Sequence, residues 1–545
     1  MSLFDSLRDS QIKSPFGPKF LPLSCLDTAI TKTSVEGEFS YFTRLLNPYL
    51  SQNVVQHARK VFAVLVFIDR AAAICELYNE GLTDDQLPLS RNNGDDRNVL
   101  FSDRGKKRFT SFRSWTSASV DLFLDKQWLF QSPVFGATGE HLNLDPTCAL
   151  PMLPDAEEVA AGLYNVVYRG TLHPAHQKGL KCGEDGLQIA LKEFRGEDRE
   201  NNFNKERENL SHIEQHNHPH LIKHIATCQS GKSFFVIFPW ADGGSLRDFW
   251  EHEDPGEPTP ELVSWSLQQM LGLIGALKAL HSFNCRHGDL KPENILHFKE
   301  GDDKLQRNGE RGILVMADVG VSRVHKQTTR FRAGPTTTKA TTISYQAPET
   351  ETYPKGPRSR AYDAWSIGCI FLEHIVWLLY GLQGIESFET SRECRDLEGS
   401  YVNAKFYKAA AVGSQGSADI HPAVLKAMAA LGEDPRCRSG TALGDLLKLI
   451  REKLLLIEPQ ARANAGELHG IVEKIVRDTE RNPLYLLPGV NRPLQTPPIF
   501  QPTEPGKDVA FRVTGLDGTL VQLTNTLDAT NNRLGERRHT RPTAC

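Results

Sequence analysis

Ten cysteines are scattered along these 545 residues, and no two of them stand at C-x-x-C spacing. That excludes a small disulfide-built scaffold and a cysteine-ligated zinc finger, and leaves reduced thiols, as expected of a cytoplasmic or nuclear protein. Net charge is nearly absent. With 63 Lys and Arg against 67 Asp and Glu, the formal value is −4, so no whole-chain field draws the protein to nucleic acid or to an anionic membrane. Long apolar runs are missing too: V-F-A-V-L-V-F-I (61–68) ends at Asp69 and Arg70, far short of the ~20 residues of a membrane span. Asp5, Arg8 and Asp9 stand where a signal peptide would need apolar residues, and Cys545 is not placed for prenylation. No internal repeat is present, and a soluble protein of several domains is expected.

Residues 1–30 contain S-P-F-G-P-K-F-L-P and read as a flexible leader. Across 31–130 apolar residues recur at three- and four-residue spacing (Val54, Val55, Ala58, Val61, Phe62, Leu65, Ile68), which predicts a small all-helical domain. Pro133, Pro146, Pro151 and Pro154 mark 131–155 as a linker. Three strand-like segments follow: Y-N-V-V-Y-R-G (164–170), L-Q-I-A-L-K-E-F (187–194) and S-F-F-V-I-F (233–238). Beyond Glu261 the pattern is mainly helical. This order predicts an α+β unit of two lobes, sheet-rich over 156–240 and helical over 241–475. The Pro-rich tail, 476–545, is expected to be disordered.

Four elements carry chemistry. Lys192 ends the strand-like I-A-L-K and could hold nucleotide phosphates if a carboxylate orients it; alone it would read as a surface lysine. In F-N-K-E-R-E-N-L-S-H-I (203–213), Glu206 shares a helix face with Leu210 and Ile213, so Glu206 rather than Glu208 is the expected partner. H-G-D-L-K-P-E-N offers Asp289 to accept a hydroxyl proton, Lys291 to neutralise a transferring phosphoryl group and Asn294 to ligate a metal. I-L-V-M-A-D-V-G places Asp318, a second metal ligand, just after a buried strand. Phosphoryl transfer asks for this division of labour, because charge neutralisation and alignment do most of the catalysis.

With these motifs, residues 156–475 resemble a eukaryotic-type protein kinase domain, and Q-A-P-E-T and A-Y-D-A-W-S-I-G-C extend the likeness. The resemblance implies a two-lobed fold, an ATP-dependent serine/threonine kinase and Mg²⁺ (or Mn²⁺) as its metal. It implies that Asp363 braces the catalytic loop and that Glu349 and Arg462 form a buried ion pair. Gly162, Val167, Ala190, Phe238, Pro239 and Ala241 would surround ATP, with Phe238 at the back of the adenine site. L-K-P-E-N, and Thr342 three residues before Tyr345, resemble the serine/threonine class. F-L-D-K-Q-W-L-F-Q-S-P-V-F is similar to leaders on kinases of filamentous fungi, which makes the helical domain a candidate interaction or regulatory module.

The chain departs from the family pattern in places. Ala160, Gly162 and Asn165 occupy the three positions of the glycine-rich loop, and Val319 replaces a phenylalanine. An inserted polar stretch, 299–312, lengthens the spacing from Asp289 to Asp318. Gly288 stands where many kinases carry an arginine that clamps a phosphate on the activation segment, and Arg286 is not placed to replace it. The alternative reading is therefore a pseudokinase, a nucleotide-binding scaffold. Two other motifs give way to simpler readings. A-T-C-Q-S-G-K-S (226–233) nearly matches a phosphate-binding loop, but a strand-like run follows it where a helix is required. The histidines at 212, 216, 218, 220 and 224 have no cysteine at finger spacing and read as structural.

Overall fold

A computed structural model describes residues 2–91, 98–102, 107–162, 164–215, 217–299, 311–318, 343–354, 358–395, 402–409, 417–489, 495–502, 513–514 and 520–521. The N-terminal region has its own core, centred on α1 (Arg59–Phe67), in which Val61, Phe62, Ala63, Val64 and Leu65 are fully buried. The apolar run without a membrane's length is this core helix. A second helix, α2 (Ser117–Lys126), buries Val120 and Phe123 against it.

Two expectations are corrected here. Residues 3–30 are not a loose leader: Leu3–Asp9 and Leu23–Ala29 are helical, and Leu7, Phe20, Leu21, Leu26 and Ile30 are buried. Their prolines and glycine punctuate short elements whose apolar residues reach a shared core. Nor is the domain all-helical. Leu89–Arg91, Leu100–Ser102 and Arg108–Phe109 form a three-stranded antiparallel sheet, with Leu89, Leu100 and Phe109 facing inward.

The sheet-rich lobe is a six-stranded sheet of β1 (Glu140–Leu144), β2 (Glu157–Ala161), β3 (Asn165–Leu172), β4 (Leu187–Phe194), β5 (Ala226–Ser230) and β6 (Ser233–Pro239), in the order β1-β5-β6-β4-β3-β2. β1 comes from the segment read as a linker, and it pairs parallel with β5. The motif-like A-T-C-Q-S-G-K-S is the β5–β6 hairpin, with Gly231 at φ 56 in its turn. Helix α3 (Arg199–Glu214) buries Phe203, Glu206, Leu210 and Ile213, the spacing that put these residues on one face.

The helical lobe forms around α4 (Leu246–His252), α5 (Pro260–Ser282), α6 (Ala361–Arg392) and α7 (Ala465–Arg481). A two-stranded ladder, β7 (Ile295–Phe298) with β8 (Ile313–Met316), joins the end of the H-G-D-L-K-P-E-N loop to the segment that bears Asp318. α6 is interrupted at Gly381, whose φ of 67 and ψ of −169 are not helical. It is apolar enough to cross a membrane, yet 83% of its most apolar window is buried, so it is a core helix. The tail is only partly as expected. Residues 483–486 are helical, and Phe500 is 1% exposed, stacked 4.6 Å from Tyr380.

Candidate active site

Lys192 lies near the end of β4, opposite Val167 on one side and Val236 on the other. Alternation along the strand turns its side chain inward, where its ammonium meets Glu206 Oε1 at 3.0 Å and Asp318 Oδ1 at 2.9 Å. Glu206 is 6% exposed, whereas Glu208 lies on the exposed face of α3. Burial works against the charge on Lys192, but Asp318 and Glu206 outweigh it and raise its pKa above the ordinary lysine value. Lys192 in turn holds the Asp318 carboxyl below its usual range.

Asp318 is fixed to the H-G-D-L-K-P-E-N loop through its neighbour. The Ala317 N–H donates to Asn294 O at 2.9 Å, and Ala317 O accepts from His287 Nε2 at 2.8 Å. Within the loop, Asn294 Nδ2 donates to Asp289 O at 2.7 Å and to Asp289 Oδ2 at 3.2 Å. Lys291 Nζ stands 3.7 Å from the same carboxylate. Asp363, fully buried on α6, accepts from the backbone N–H groups of His287 (2.9 Å) and Gly288 (2.7 Å) and contacts His281 Nε2 at 2.9 Å. Gly288 takes a φ of 77, a left-handed conformation that glycine adopts without steric cost. Its contribution is a backbone N–H.

The expected surroundings of ATP are also placed. Val167, Ala190, Phe238 and Pro239 are half-buried, Ala190 facing Phe238 across β4 and β6, while Ala241 is buried. Pro239 has only a carbonyl to offer, and the Ala241 carbonyl already accepts the Gly244 N–H at 3.1 Å. The β2–β3 hairpin closes through a hydrogen bond from Gly162 N–H to Asn165 O of 2.7 Å, and β2 is exposed along its whole length. Away from the centre, Glu349 and Arg462 form two 2.9 Å hydrogen bonds, and the guanidinium lies over the Trp365 ring. Thr342 and Val319 lie outside the described residues.

The family described as "Protein kinase domain" matches residues 178–418. The chain carries a eukaryotic-type protein kinase domain. Among curated relatives, the serine/threonine-protein kinase PKH3 of Eremothecium gossypii is 27% identical over 245 residues, covering 44% of this chain and 30% of that protein. The calcium/calmodulin-dependent protein kinase cmkA of Emericella nidulans is 28% identical over 214 residues, 39% of this chain and 44% of that protein. The human tyrosine-protein kinase Fer is 27% identical over 218 residues, 40% of this chain and 23% of that protein. The chain thus spans less than half the length of each of these relatives.

Some residues of this kinase domain went unassigned in the sequence reading. His281 and His287 hold Asp363 and Ala317, although only His287 lies inside a recognisable motif. Glu373 accepts from Tyr345 Oη at 2.6 Å and pairs with buried Arg392 at 2.6 Å. Arg392 sits between the rings of Phe388 and Phe406. No spacing marks that pair, because the partners meet only through a turn in α6. Three of the clustered histidines have structural contacts: His220 Nδ1 bonds Leu314 O, His224 Nε2 bonds Gly139 O and His218 Nδ1 accepts the His220 N–H, while His212 is exposed and His216 lies outside the described residues. Among the described residues no group of His, Cys, Asp and Glu could hold a metal on its own.

Proposed function

We propose that this kinase domain is an active ATP-dependent protein serine/threonine kinase. One observation carries the reading: Lys192 is buried between Glu206 and Asp318, and Asp318 is tied through Ala317 to the loop that bears Asp289 and Asn294. The Lys–Glu pair and the metal-binding aspartate must be in place together for phosphoryl transfer. Lys192 would hold the nucleotide phosphates. The substrate hydroxyl oxygen attacks the γ-phosphorus, the bond to the ADP oxygen breaks, and Asp289 takes the hydroxyl proton while Lys291 neutralises developing charge. L-K-P-E-N supports a serine or threonine hydroxyl as the acceptor.

The donors fit Mg²⁺ or Mn²⁺. With its amide nitrogen turned to Asp289, Asn294 keeps Oδ1 as a donor, and Asp318 adds a carboxylate, an oxygen-only set suited to a hard cation. The site carries three carboxylates (Glu206, Asp289, Asp318) and two ammonium groups (Lys192, Lys291), a local excess of negative charge that a divalent ion would offset. When bound, the ion would neutralise phosphate charge and align the γ-phosphoryl group.

Gly288 in place of the arginine clamp supports a kinase that works with little dependence on activation-segment phosphorylation. The competing reading, a nucleotide-binding scaffold, draws on Ala160 and Asn165 in the loop that should cover the phosphates. Both are tested by γ-phosphate transfer from ATP to the protein itself or to a generic basic protein. Asp289→Asn should lower the rate by roughly a thousandfold or more, and phosphatase treatment of the wild type should leave it nearly unchanged. Nucleotide binding without transfer would establish the scaffold reading instead, whereas transfer that survives Asp289→Asn would remove Asp289 as the base.

A further inference from the structure

The β1 strand touches α3 on both sides of Glu206. Near the start of the helix, the His141 ring lies 5.9 Å from Phe203, tilted by 43°, and Phe203 is fully buried among Phe194, Leu210 and Phe234. At the end of the helix, the Glu214 carboxylate lies where a side chain on Gly139 would have to go, at a φ of 64 open to glycine. Phe203 precedes Glu206 by one turn and Glu214 follows it by two, so the contacts span the turn that presents Glu206 to Lys192.

The strand itself is firmly seated. It pairs with β5 from Glu140–Ala226 to Leu144–Ser230, and His141 Nδ1 shares a 2.9 Å hydrogen bond with Thr227 Oγ1, on a residue 1% exposed. His224 Nε2 bonds Gly139 O at 2.9 Å. Leu142 and Leu144 turn to the opposite face and join the core of the sheet. The flanking chain is anchored on both sides: upstream, Pro133 O accepts from His176, and downstream, Ser14 Oγ donates to Leu150 O at 2.6 Å.

We infer that β1 is a built-in brace that holds α3 in the position where Glu206 pairs with Lys192, and that His141 is its positioning residue. One face of the helix, with Phe203 and Leu210 buried, packs on Phe194 of β4 and Phe234 of β6, and the β1 segment adds contacts near both ends. A phosphate clamp on the activation segment is then not the only means of keeping the Lys192–Glu206 pair closed. The inference rests on the kinase reading given above. A strand that merely covered the edge of the sheet would affect stability alone.

The experiment compares wild type, His141→Ala, His141→Phe and Gly139→Ala in the full-length protein. It reads kcat and KM for ATP, unfolding temperature, and amide hydrogen exchange across residues 199–214. His141→Ala should lower kcat by about tenfold and speed exchange in α3; Gly139→Ala, where the exposed Glu214 side chain can swing aside, should act in the same direction by about threefold. His141→Phe, which keeps the ring contact, should recover activity to within about threefold of wild type. Unchanged kcat and unchanged α3 exchange in both loss variants would overturn the brace, even if the protein became less stable. A wild type that transfers no phosphate would defeat the kinase reading, while exchange in α3 would still decide the brace.

Discussion

Glu206 was legible because helix periodicity is a local property: with Leu210 and Ile213 it makes one stripe, and only that stripe faces β4. The Glu349–Arg462 pair was legible through motif likeness alone, since 113 residues separate the partners. Arg392 was not legible at all; its aromatic cradle needs Phe406, which arrives from a distant strand connection. Glu349 gives a direct test at this scale. Its carboxylate takes both Nη atoms of a guanidinium that is 0% exposed, and the Leu456, Ala361 and Ile457 carbonyls receive the remaining donors. Removing one partner of such a pair strands a buried charge. Glu349→Ala should therefore cost about 3–5 kcal/mol in urea denaturation, and pairing it with Arg462→Met should recover much of the loss. A cost under about 1 kcal/mol would mean that water reaches the guanidinium.

Elements with strong periodicity were legible: α1, α3 and the strands β3, β4 and β6. Those set by tertiary pairing were not. E-H-L-N-L gains its strand conformation from β5, and two-residue ladders such as Ile12–Lys13 with Lys19–Phe20 have no pattern to read. The docked part of the tail escaped notice for the same reason, because one aromatic residue among prolines shows no period. Phe500 fits against Tyr380 and Phe388 where Gly381 breaks α6, and the short turn Pro498–Phe500 holds it there. Its ring is nearly inaccessible, so Phe500→Ala should cost about 3 kcal/mol of local stability. Limited proteolysis should then cut between residues 483 and 502 at least tenfold faster, with the helical lobe intact. Equal cleavage rates would show that the segment is held by its prolines rather than by the ring.

Across the whole molecule, the N-terminal region and the sheet-rich lobe meet at a few specific contacts, and His176 sits among them. Its Nε2 accepts the Leu23 N–H at 3.3 Å, its Nδ1 donates to Pro133 O at 2.9 Å, and Phe20 lies edge-on to its ring at 5.5 Å. This arrangement needs the neutral ring: a proton on Nε2 would oppose the Leu23 N–H and leave a charge buried at 1% exposure. Burial accordingly lowers the His176 pKa to about 4. The unfolded chain binds a proton near pH 6.5 and the folded one near 4, so stability from this group is complete above pH 6.5 and is lost as pH falls toward 4. Glu206, Glu293 and Glu373 are pushed the other way by burial, so the total slope is smaller than histidine alone would give. The contribution of His176 is isolated by comparing wild type with His176→Asn. Between pH 7.5 and 5.5 wild type should lose about 1.4 kcal/mol more unfolding free energy than the variant. Parallel pH profiles would place the His176 pKa near its ordinary value and make the contact with Leu23 incidental to the joining of the two regions.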